Sequence, residues 1–505
     1  MNRKKIFALL VLVIIGTICI FTFLYKKNSF KVCNHCNVLL VDIDTLRADE
    51  LPCYGYSRNT TPNICNFAKK SLVFKNNFSS SDWTLPSIFS TITSLYPTFH
   101  RVRTPYLDIL SNNKTTLAQT LKNQGYQTAF VGFDNNTSTL TRENNGLSSY
   151  DLITSKPVTE VINKLSKSNK PWFIHYYRDD LHLPYLLPNN AHPIDSLENP
   201  RNIPITRDEF NIVFNKYLKK NYSEVFSQSV IEENSSIFSK NNQEKDLAFS
   251  DLFYKLYNYY PNREKKLINI YKPIYNAYIS TFDKNNPSHQ TFLRMMYDST
   301  VYQVDKTLLP LFELLESQKI KKNTITILMS DHGESFGEYG KLGHDSNNHS
   351  VLHYTPLIVN SPKISAKVVK STTGNIDIFP SIMEMLGLDK VPFLQGESLF
   401  SKRSDKNNRL IYSESTEGLI LLNDEWFYFL PKNATHINQS ILYNKKLDPQ
   451  EKNNCINQYP DFTQMLYQKL RTLQSYDRFF MRLPTPSISN IDSDKIDRLK
   501  KEGYF

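Results

Sequence analysis

The stretch Asn37–Asp44, NVLLVDID, combines a nearly unbroken apolar run with an acidic C-terminal end. A short apolar run of this kind predicts a buried strand of a parallel sheet. A second run, Thr324–Ser330, TITILMS, has the same character and is followed directly by Asp331 and His332. Ligands bind outside the carboxyl ends of the strands in open α/β sheets. The two runs therefore predict that Asp44, Asp331 and His332 meet at one edge of one sheet.

Carboxylates together with an imidazole are suitable ligands for a hard or borderline divalent cation, so these three residues predict a metal site. Simpler interpretations of short motifs stay open at this point. Asp44 precedes Thr45 and Leu46 and would serve there as a helix N-cap. His332 would then be a structural histidine in a turn.

Further along the chain, segments with helical periodicity alternate with segments typical of strands. In one predicted helix, Val301, Val304 and Leu308 recur at the spacing of an amphipathic helix. Alternation of this kind predicts an α/β fold with a mostly parallel sheet covered by helices on both faces. The predicted helices are 116–124, 297–317 and 461–475, and the further predicted strands are 128–132 and 170–177.

The domain boundaries follow from the same patterns. We expect a catalytic α/β domain at 37–410 and a smaller C-terminal subdomain at 411–505. Between about 189 and 288 the chain is rich in Asn, Lys, Tyr and Phe and lacks a strand pattern. This composition predicts a mostly helical or irregular insertion within the catalytic domain.

The N-terminal segment contains an uncharged apolar run, Ile6–Tyr25, that is long enough to cross a bilayer as a helix. Basic residues at 3–5 precede the run and further lysines follow it, which favours residues 1–5 in the cytoplasm and an exported remainder. We therefore expect a single-pass anchor at 6–25 in the cytoplasmic (inner) membrane, a linker at 26–36 and an extracytoplasmic catalytic domain. A cleaved signal peptide is the alternative, but its small-residue cleavage site is not evident before Tyr25.

The chain of 505 residues has a formal net charge of +11. Its hydrophobic content of 40% and charged content of 22% are typical of a globular protein. The positive charge suits an anionic substrate or an anionic membrane surface, although a solvated, lysine-rich exterior is the commoner explanation. Dense basic clusters with interleaved aromatic residues are absent from the sequence, so we predict no nucleic-acid partner. Nothing in the sequence indicates an oligomeric state.

Four of the six cysteines, Cys33, Cys36, Cys53 and Cys65, lie close together near the start of the predicted exported part. An exported enzyme could pair some of them as disulfides. Cys33 and Cys36 also have the spacing of half a zinc site. No second half-site follows, so we do not expect zinc there.

A hydroxyl group lies along the chain between the two acidic segments. The segment Ser81–Ser87, SDWTLPS, leads into an apolar helical run in which Pro86 would be the first helical residue. The N–H groups at such a helix start attract an anion. The Thr84 hydroxyl would be a nucleophile activated by the metal. The simpler alternative is that Thr84 only caps the helix.

An ordered set of motifs resembles the sulfatase family of the alkaline phosphatase superfamily over nearly the whole chain, apart from the insertion. Residues 37–49, with 53–56 and 60–63, resemble the opening of sulfatase domains, and 84–87, with 93–97 and His100, resembles the nucleophile signature. Each match is weak alone, but the ordered set is specific. The matches continue at His175, 180–185, 297–298, 304–305, 330–334, 343–344, 356–358, 377–380, 395–399, 442–443, 448–451, Asn454 and 499–504.

The resemblance implies an alkaline-phosphatase-like fold with one divalent cation, calcium or else zinc, manganese or magnesium. Thr84 would point at the cation as the nucleophile. Two histidines, His182 and His344, would contact the anion or protonate the leaving oxygen. The residues that would hold the cation are Asp44, Asp331 and His332.

The chain departs from the sulfatase pattern around the nucleophile. Family sulfatases carry a Cys or Ser there that is oxidised to an aldehyde, and Thr84 cannot form that aldehyde. The arginine usually found four residues later is Ile88, and a second aspartate usually found after Asp44 is Thr45. Superfamily phosphatases and phospholipid head-group transferases use an unmodified Ser or Thr. These residues therefore favour a covalent intermediate of the phospho type.

Three functions are consistent with these residues. The main prediction is a metal-dependent hydrolase of sulfuric or phosphoric esters, with an anionic ester as substrate. A phosphoethanolamine-transferase-like enzyme that acts on envelope lipids or glycans is the first alternative. Thr84 favours it, but such transferases usually carry several membrane helices. A catalytically silent sulfatase-like binding protein is the second alternative, and the retained aspartates and histidines argue against it.

Overall fold

The α/β architecture predicted from the sequence is confirmed by the computed structural model. A mixed, mostly parallel sheet lies between two layers of helices, and a small antiparallel sheet follows it. Residues described by the structure are 30–103, 108–132, 147–183, 185, 283–344, 349–401 and 408–481.

Within the described residues, the strands form one large sheet and two small ones. In chain order they are β1 Asn37–Ile43, β2 Leu72–Phe78, β3 Gln127–Val131, β4 Leu152–Thr154, β5 Trp172–Arg178, β6 Thr324–Met329, β7 Ser335–Phe336, β8 Leu342–Gly343, β9 Leu357–Asn360, β10 Lys367–Gly374, β11 Ile411–Glu414, β12 Gly418–Leu422, β13 Trp426–Pro431 and β14 Ile441–Asn444.

The large sheet has the order β10-β2-β9-β6-β1-β5-β3-β4. Strand β1 lies near its centre and pairs in parallel with β5 on one side and β6 on the other. Strand β9 is the antiparallel member and lies between β2 and β6. The carboxyl ends of β1, β5 and β6 therefore reach the same edge of the sheet, which is where the sequence predicts the site.

Helices cover both faces of this sheet. The longest follows the predicted insertion and starts about ten residues before the helix expected at 297–317. In chain order the helices are α1 Pro62–Ala68, α2 Thr84–Thr93, α3 Pro97–His100, α4 Leu117–Asn123, α5 Val158–Leu165, α6 Pro287–Glu316, α7 Gln318–Lys321, α8 Ile378–Leu386 and α9 Pro460–Met481.

Alternate residues of β1 explain the two layers. Leu39 and Val41 belong to a core cluster with α6, whereas Val38 and Leu40 belong to a second cluster with α2 and α8. All seven residues of β1 are buried. A strand that is buried on both faces needs an apolar run without a polar alternation, which is the pattern of its sequence.

The C-terminal part is a separate small layer. Strands β11 to β14 form a four-stranded antiparallel sheet, and Leu466 and Leu470 of α9 pack on one of its faces. The Ser81 hydroxyl donates a hydrogen bond of 2.9 Å to the Glu414 carbonyl and so fastens this sheet to the segment before α2. A C-terminal subdomain is present as predicted, while its sequence-based boundaries stay predictions.

The early cysteines form two disulfides, Cys33–Cys36 and Cys53–Cys65. The thiols that would make half a zinc site are therefore paired with each other. Cys455 is a free, buried thiol.

Two segments predicted from the sequence lie outside the described residues. They are the anchor at 6–25 and most of the insertion at about 189–288. Within the part that the structure describes, no helix is long and apolar enough to cross a membrane.

Candidate active site

Two neighbouring strands bring the three predicted metal ligands together. Asp44 follows β1, and Asp331 and His332 follow β6. One ligand atom from each of these three residues lies within 4.8 Å of the others. His332 Nε2 is 3.4 Å from Asp44 Oδ1 and 3.6 Å from Asp331 Oδ2. All three side chains are buried. The N-cap alternative for Asp44 is wrong, because the next helical turn is capped at Arg47.

Each aspartate uses one carboxylate oxygen for support and keeps the other for the cluster. Asp44 Oδ2 accepts a hydrogen bond of 2.7 Å from the Tyr177 hydroxyl. Asp331 Oδ1 accepts hydrogen bonds from the N–H groups of His332 and Thr45 at 2.8 and 3.3 Å. Asp44 Oδ1 and Asp331 Oδ2 have no hydrogen-bond partner among the described residues. Buried carboxylate oxygens of this kind fit a hard divalent cation, because they are costly to bury unpaired.

The tautomer of His332 decides which ring nitrogen can bind a cation. His332 Nδ1 lies 2.8 Å from the Gly333 carbonyl oxygen, which can only accept a hydrogen bond. The proton of the neutral ring is therefore on Nδ1, and the lone pair is on Nε2, which faces the two aspartates. The donor set, two carboxylate oxygens and one imidazole nitrogen, fits the cation that the resemblance implies.

Burial shifts the pKa values of Asp331 and His332 in the directions that a bound cation would oppose for the first and support for the second. Burial raises the pKa of Asp331 well above its ordinary value, and the neighbouring Asp44 and Asp42 raise it further. Burial lowers the pKa of His332 to about 4, so this ring is neutral at pH 7. A cation bound between these groups would favour the ionised carboxylates and the neutral imidazole.

Thr84 occupies the first turn of α2 and faces the cluster. Its Oγ1 is 3.1 Å from His332 Nε2, and its side chain is half-buried. Trp83 is the N-cap residue and makes no capping hydrogen bond with its side chain. The interpretation of Thr84 as a helix cap is therefore wrong, and so is the prediction that the helix begins at Pro86. The Ser87 hydroxyl donates a hydrogen bond of 2.6 Å to the Asp331 carbonyl and holds α2 against the loop after β6.

Ile88 occupies the position on this helix where the sulfatase pattern usually has an arginine. Its side chain is 1% exposed and belongs to the core cluster between α2 and the sheet. A charged side chain there would be buried among apolar groups in this packing. The first turn of α2 is thus built without the arginine of the family pattern.

Two further histidines complete the cluster around Thr84. The ring centroids of His182 and His344 are 4.9 Å apart, and those of His344 and His332 are 4.6 Å apart. The Trp83 ring meets His344 edge-on at 5.2 Å. The structure therefore brings together all six site residues predicted from the sequence. His175 does not join them, because it is buried in β5 with Nε2 3.5 Å from Asp42 Oδ2.

The sequence assigned no role to two residues that support this cluster, Glu334 and Tyr177. Glu334 Oε1 lies 3.4 Å from His344 Nδ1, and burial raises the Glu334 pKa to about 7. Tyr177 reaches Asp44 from the neighbouring strand β5. Glu334 lies two residues after His332, but its contact with His344 depends on the path of the loop between them. The Tyr177 contact depends on which strand lies beside β1, and the sequence pattern does not indicate that.

Arg47 fastens the loop after β1 to the loop after β6. Its guanidinium is 1% exposed and donates hydrogen bonds to the Glu334 carbonyl at 3.0 Å, to Glu338 at 2.8 Å and to Asp49 at 2.6 Å. Both loops carry candidate ligands, Asp44 on one and Asp331 and His332 on the other, so this buried guanidinium helps to hold the two halves of the cluster in register.

The replacement Arg47→Met is expected to lower the free energy of unfolding by about 1–3 kcal/mol, because it leaves the Glu334 carbonyl and the partly buried Glu338 without a donor that they have in the folded chain. Urea denaturation of the purified chain measures this change. Lys70→Ala is the matched control, since the Lys70–Glu316 ion pair is about half exposed on both sides and should contribute less than about 1 kcal/mol. Equal effects of the two replacements would contradict the role assigned to Arg47.

The fold and the site together define a class of protein. A mixed sheet between helices with a small antiparallel C-terminal subdomain is the alkaline-phosphatase-like fold. Among solved structures it matches a phosphonate monoester hydrolase of Agrobacterium radiobacter with a TM-score of 0.61 and 17% identity, over 88% of this chain and 96% of that one. A protein solved in complex with its substrate D-glucosamine-2-N,6-O-disulfate matches with a TM-score of 0.60 and 18% identity, over 88% and 98% of the two chains.

The chain belongs to the sulfatase family, whose sequence model matches residues 36–388. Arylsulfatase K of Mus musculus is 27% identical over 37% of this chain and 36% of its own length. In that match the chain thus spans little more than a third of the relative. The N-acetylgalactosamine-6-O-sulfatase of Bacteroides thetaiotaomicron is 22% identical over 89% of this chain and 95% of its own length.

Proposed function

We propose that the chain is a metal-dependent hydrolase of sulfuric or phosphoric esters with Thr84 as its nucleophile. The observation that carries the proposal is the 3.1 Å contact between Thr84 Oγ1 and His332 Nε2. This contact lies beside two buried carboxylate oxygens that have no hydrogen-bond partner in the described part of the chain. A nucleophilic hydroxyl next to a cation-binding donor set is the arrangement that hydrolysis of an anionic ester needs.

Asp44, Asp331 and His332 would hold the divalent cation. A bound cation would supply positive charge that favours the ionised form of a nearby hydroxyl and stabilises the charge of the anionic ester. Without such help a threonine hydroxyl is a poor nucleophile at neutral pH.

Thr84 makes the new bond in the proposed reaction. The Thr84 hydroxyl loses its proton to solvent, its oxygen attacks the phosphorus or sulfur of the bound ester, and the bond from that atom to the leaving oxygen breaks. The first turn of α2 would face the oxygens of the anion, because the leading N–H groups of a helix lack intrahelical partners and carry partial positive charge. Water then releases the group from Thr84 and completes hydrolysis.

His182 and His344 serve the leaving oxygen. His182 Nδ1 lies 2.9 Å from the Leu183 carbonyl oxygen, which can only accept a hydrogen bond, so Nδ1 carries a proton. His344 Nδ1 lies 3.4 Å from Glu334 Oε1, so this carboxyl orients the ring. A protonated histidine beside the ester would donate its proton to the departing oxygen.

Replacing His344 by glutamine is expected to reduce turnover by about 10²–10⁴-fold for esters with a basic leaving group, the usual contribution of a general acid. Esters with an acidic leaving group, such as nitrophenyl esters, should lose much less, because their leaving oxygen needs no proton. Steady-state kinetics over a series of substituted phenyl esters measures this dependence. A loss that is the same across the series would contradict the acid role of His344.

The relatives support a sulfate or phosphate-type ester as substrate. One is named as a sulfatase of a sulfated sugar and another as a phosphonate monoester hydrolase. Thr84 favours the phosphate type, because the chain lacks the Cys or Ser that family sulfatases oxidise. Thr84 also favours the alternative of a transferase that passes a phospho-substituent to an envelope lipid or glycan.

The test is a substrate panel with the purified full chain. Aryl sulfates, phosphate monoesters, phosphate diesters and phosphonate monoesters are assayed with and without a chelator. We expect turnover of at least one ester, complete loss with the chelator and recovery with an added divalent cation. Turnover that the chelator leaves unchanged would contradict the proposal. Transfer of the phospho-substituent to an acceptor, with no free acid formed, would favour the transferase.

The two disulfides support export, because disulfides persist in oxidising compartments. We therefore keep the proposal of an anchor at 6–25 with the catalytic domain on the outer side of the cytoplasmic membrane.

A further inference from the structure

The chain enters the catalytic domain at the edge of the sheet opposite to the candidate active site. The Val32 N–H donates a hydrogen bond of 2.8 Å to the Met385 carbonyl at the end of α8, and the Phe30 ring stacks on Phe400 at 4.2 Å. From there the chain passes directly into β1, whose far end carries Asp44. The seven residue steps from Asn37 to Asp44 span about 23 Å at the rise of a strand.

The segments that lead into β1, β3, β5 and β6 form one continuous surface at this opposite edge. The Asn37 N–H donates to the Asn323 carbonyl at 2.8 Å, and the Gln127 N–H donates to the Pro171 carbonyl at 2.9 Å. The Tyr126 hydroxyl donates to the Cys36 carbonyl at 3.0 Å. These contacts join all four segments.

Among the described residues, seven exposed lysines lie on this surface, which we call the basic face. Acidic residues are fewer there, and two of them pair with lysines: Asp151 with Lys122 at 2.5 Å and Glu316 with Lys321 at 2.6 Å. The surface therefore has an excess of positive charge. Its exposed lysines are Lys31, Lys122, Lys164, Lys167, Lys170, Lys321 and Lys322.

We propose that the basic face lies against the anionic surface of the bilayer that holds the anchor, and that the active site opens away from that bilayer. Four residues separate Tyr25 from Phe30, so Phe30 lies within about 18 Å of the end of the anchor. The charge of the basic face is complementary to anionic lipid head groups. This inference rests on the proposed anchor and deepens the proposed function.

The orientation limits the substrate. An ester head group in the same bilayer would have to reach an active site on the far edge of the sheet. A water-soluble ester, or a polymer that extends beyond the membrane surface, reaches that edge freely. The inferred substrate class is therefore a soluble or extended anionic ester, and not a lipid of the membrane that carries the enzyme.

Lysine acylation of the full chain tests the orientation. The chain is reconstituted in vesicles of phosphatidylethanolamine and phosphatidylglycerol, in vesicles of phosphatidylcholine and in detergent, and a water-soluble acylating ester labels exposed lysines. Mass spectrometry then compares Lys167, Lys170 and Lys322 with Lys284 and Lys341. The last two are exposed in loops on the active-site side, where Gln290 Nε2 bridges the Lys284 and Gly337 carbonyls.

We expect the basic-face lysines to react at least about five-fold more slowly in the anionic vesicles than in detergent, the factor that corresponds to about 1 kcal/mol for one lysine near an anionic surface. Protection in phosphatidylcholine vesicles should be smaller, and Lys284 and Lys341 should react equally in all three. Equal reactivity of both groups of lysines in anionic vesicles would overturn the proposal. Basic-face lysines that react as slowly in detergent as in the anionic vesicles would also overturn it, since a second protein chain rather than lipid would then cover the face.

A charge-reversed variant and a lipid assay separate the remaining possibilities. The variant Lys167→Glu/Lys170→Glu/Lys322→Glu should lose the difference between the two vesicle types yet turn over a soluble ester at the wild-type rate. Loss of the full chain from vesicles in alkaline carbonate would refute the anchor and with it the orientation, whereas turnover of the soluble ester tests the proposed function separately. Release or transfer of head groups from the vesicle lipids would overturn the inferred substrate class.

Discussion

Replacing Thr84 by alanine is expected to reduce turnover by about 10⁴-fold or more, the effect of removing a covalent nucleophile. The cation content of the variant should equal that of the wild type. Thr84 Oγ1 contacts His332 Nε2 but is not needed to complete the buried donor set. Steady-state kinetics and elemental analysis of the same preparation measure both quantities.

The variant Thr84→Ser is the matched control, because it keeps the hydroxyl and removes only a methyl group. Its turnover should stay within about ten-fold of the wild type, a small change beside the loss of the nucleophile. Near-normal turnover in Thr84→Ala would show that the nucleophile is water or another residue. Equal losses in both variants would indicate that Thr84 acts through packing.

The second large effect is expected for Asp331→Asn, which should abolish both cation binding and turnover. The replacement keeps the shape of the side chain but removes its negative charge, and a divalent cation depends on the charge of its carboxylate ligands. Elemental analysis after dialysis should find about one divalent cation per wild-type chain and none in the variant.

With a chelator present, so that no cation is bound, Asp331→Asn should not lower the stability of the fold. Burial and the neighbouring aspartates raise the pKa of Asp331, so without a cation its ionised form destabilises the fold. Asp331→Asn should therefore be at least as stable as the metal-free wild type in thermal unfolding. Asp305→Asn is the control, since both oxygens of this buried carboxylate accept hydrogen bonds from backbone N–H groups, at Asn63 and Ile64, and an amide nitrogen would place a second donor against one of them. It should lose stability and keep the cation. Full cation occupancy in Asp331→Asn would contradict the ligand assignment.

Much of the main sheet could be predicted because its central strands are buried on both faces. The run predicted at 37–44 is the strand Asn37–Ile43, and the run at 324–330 is the strand Thr324–Met329. The first turn of α6 lacks an apolar pattern, because residues 287–291, PSHQT, offer no apolar side chain at helical spacing. The position of the antiparallel strand β9 between β2 and β6 depends on contacts between distant parts of the chain, so a local sequence pattern does not predict it.

The candidate site was predictable where residues lie at strand ends. Asp44, Asp331 and His332 follow two apolar runs, and parallel pairing alone brings them to one edge. The resemblance, rather than any local pattern, indicated His182 and His344. The contact between His344 and Glu334 depends on the path of the loop between them, so the sequence carried no signal for it.

The most direct test of the central claim is the detection of a covalent group on Thr84. The full chain is mixed with an active ester, quenched in acid within one turnover and digested with trypsin. Mass spectrometry then examines the peptide 76–101, which contains Thr84. A phospho or sulfo group on Thr84 in the wild type, absent from Thr84→Ala, is the predicted result. Rapid turnover without a modified peptide at any quench time, or a modified residue other than Thr84, would contradict the account.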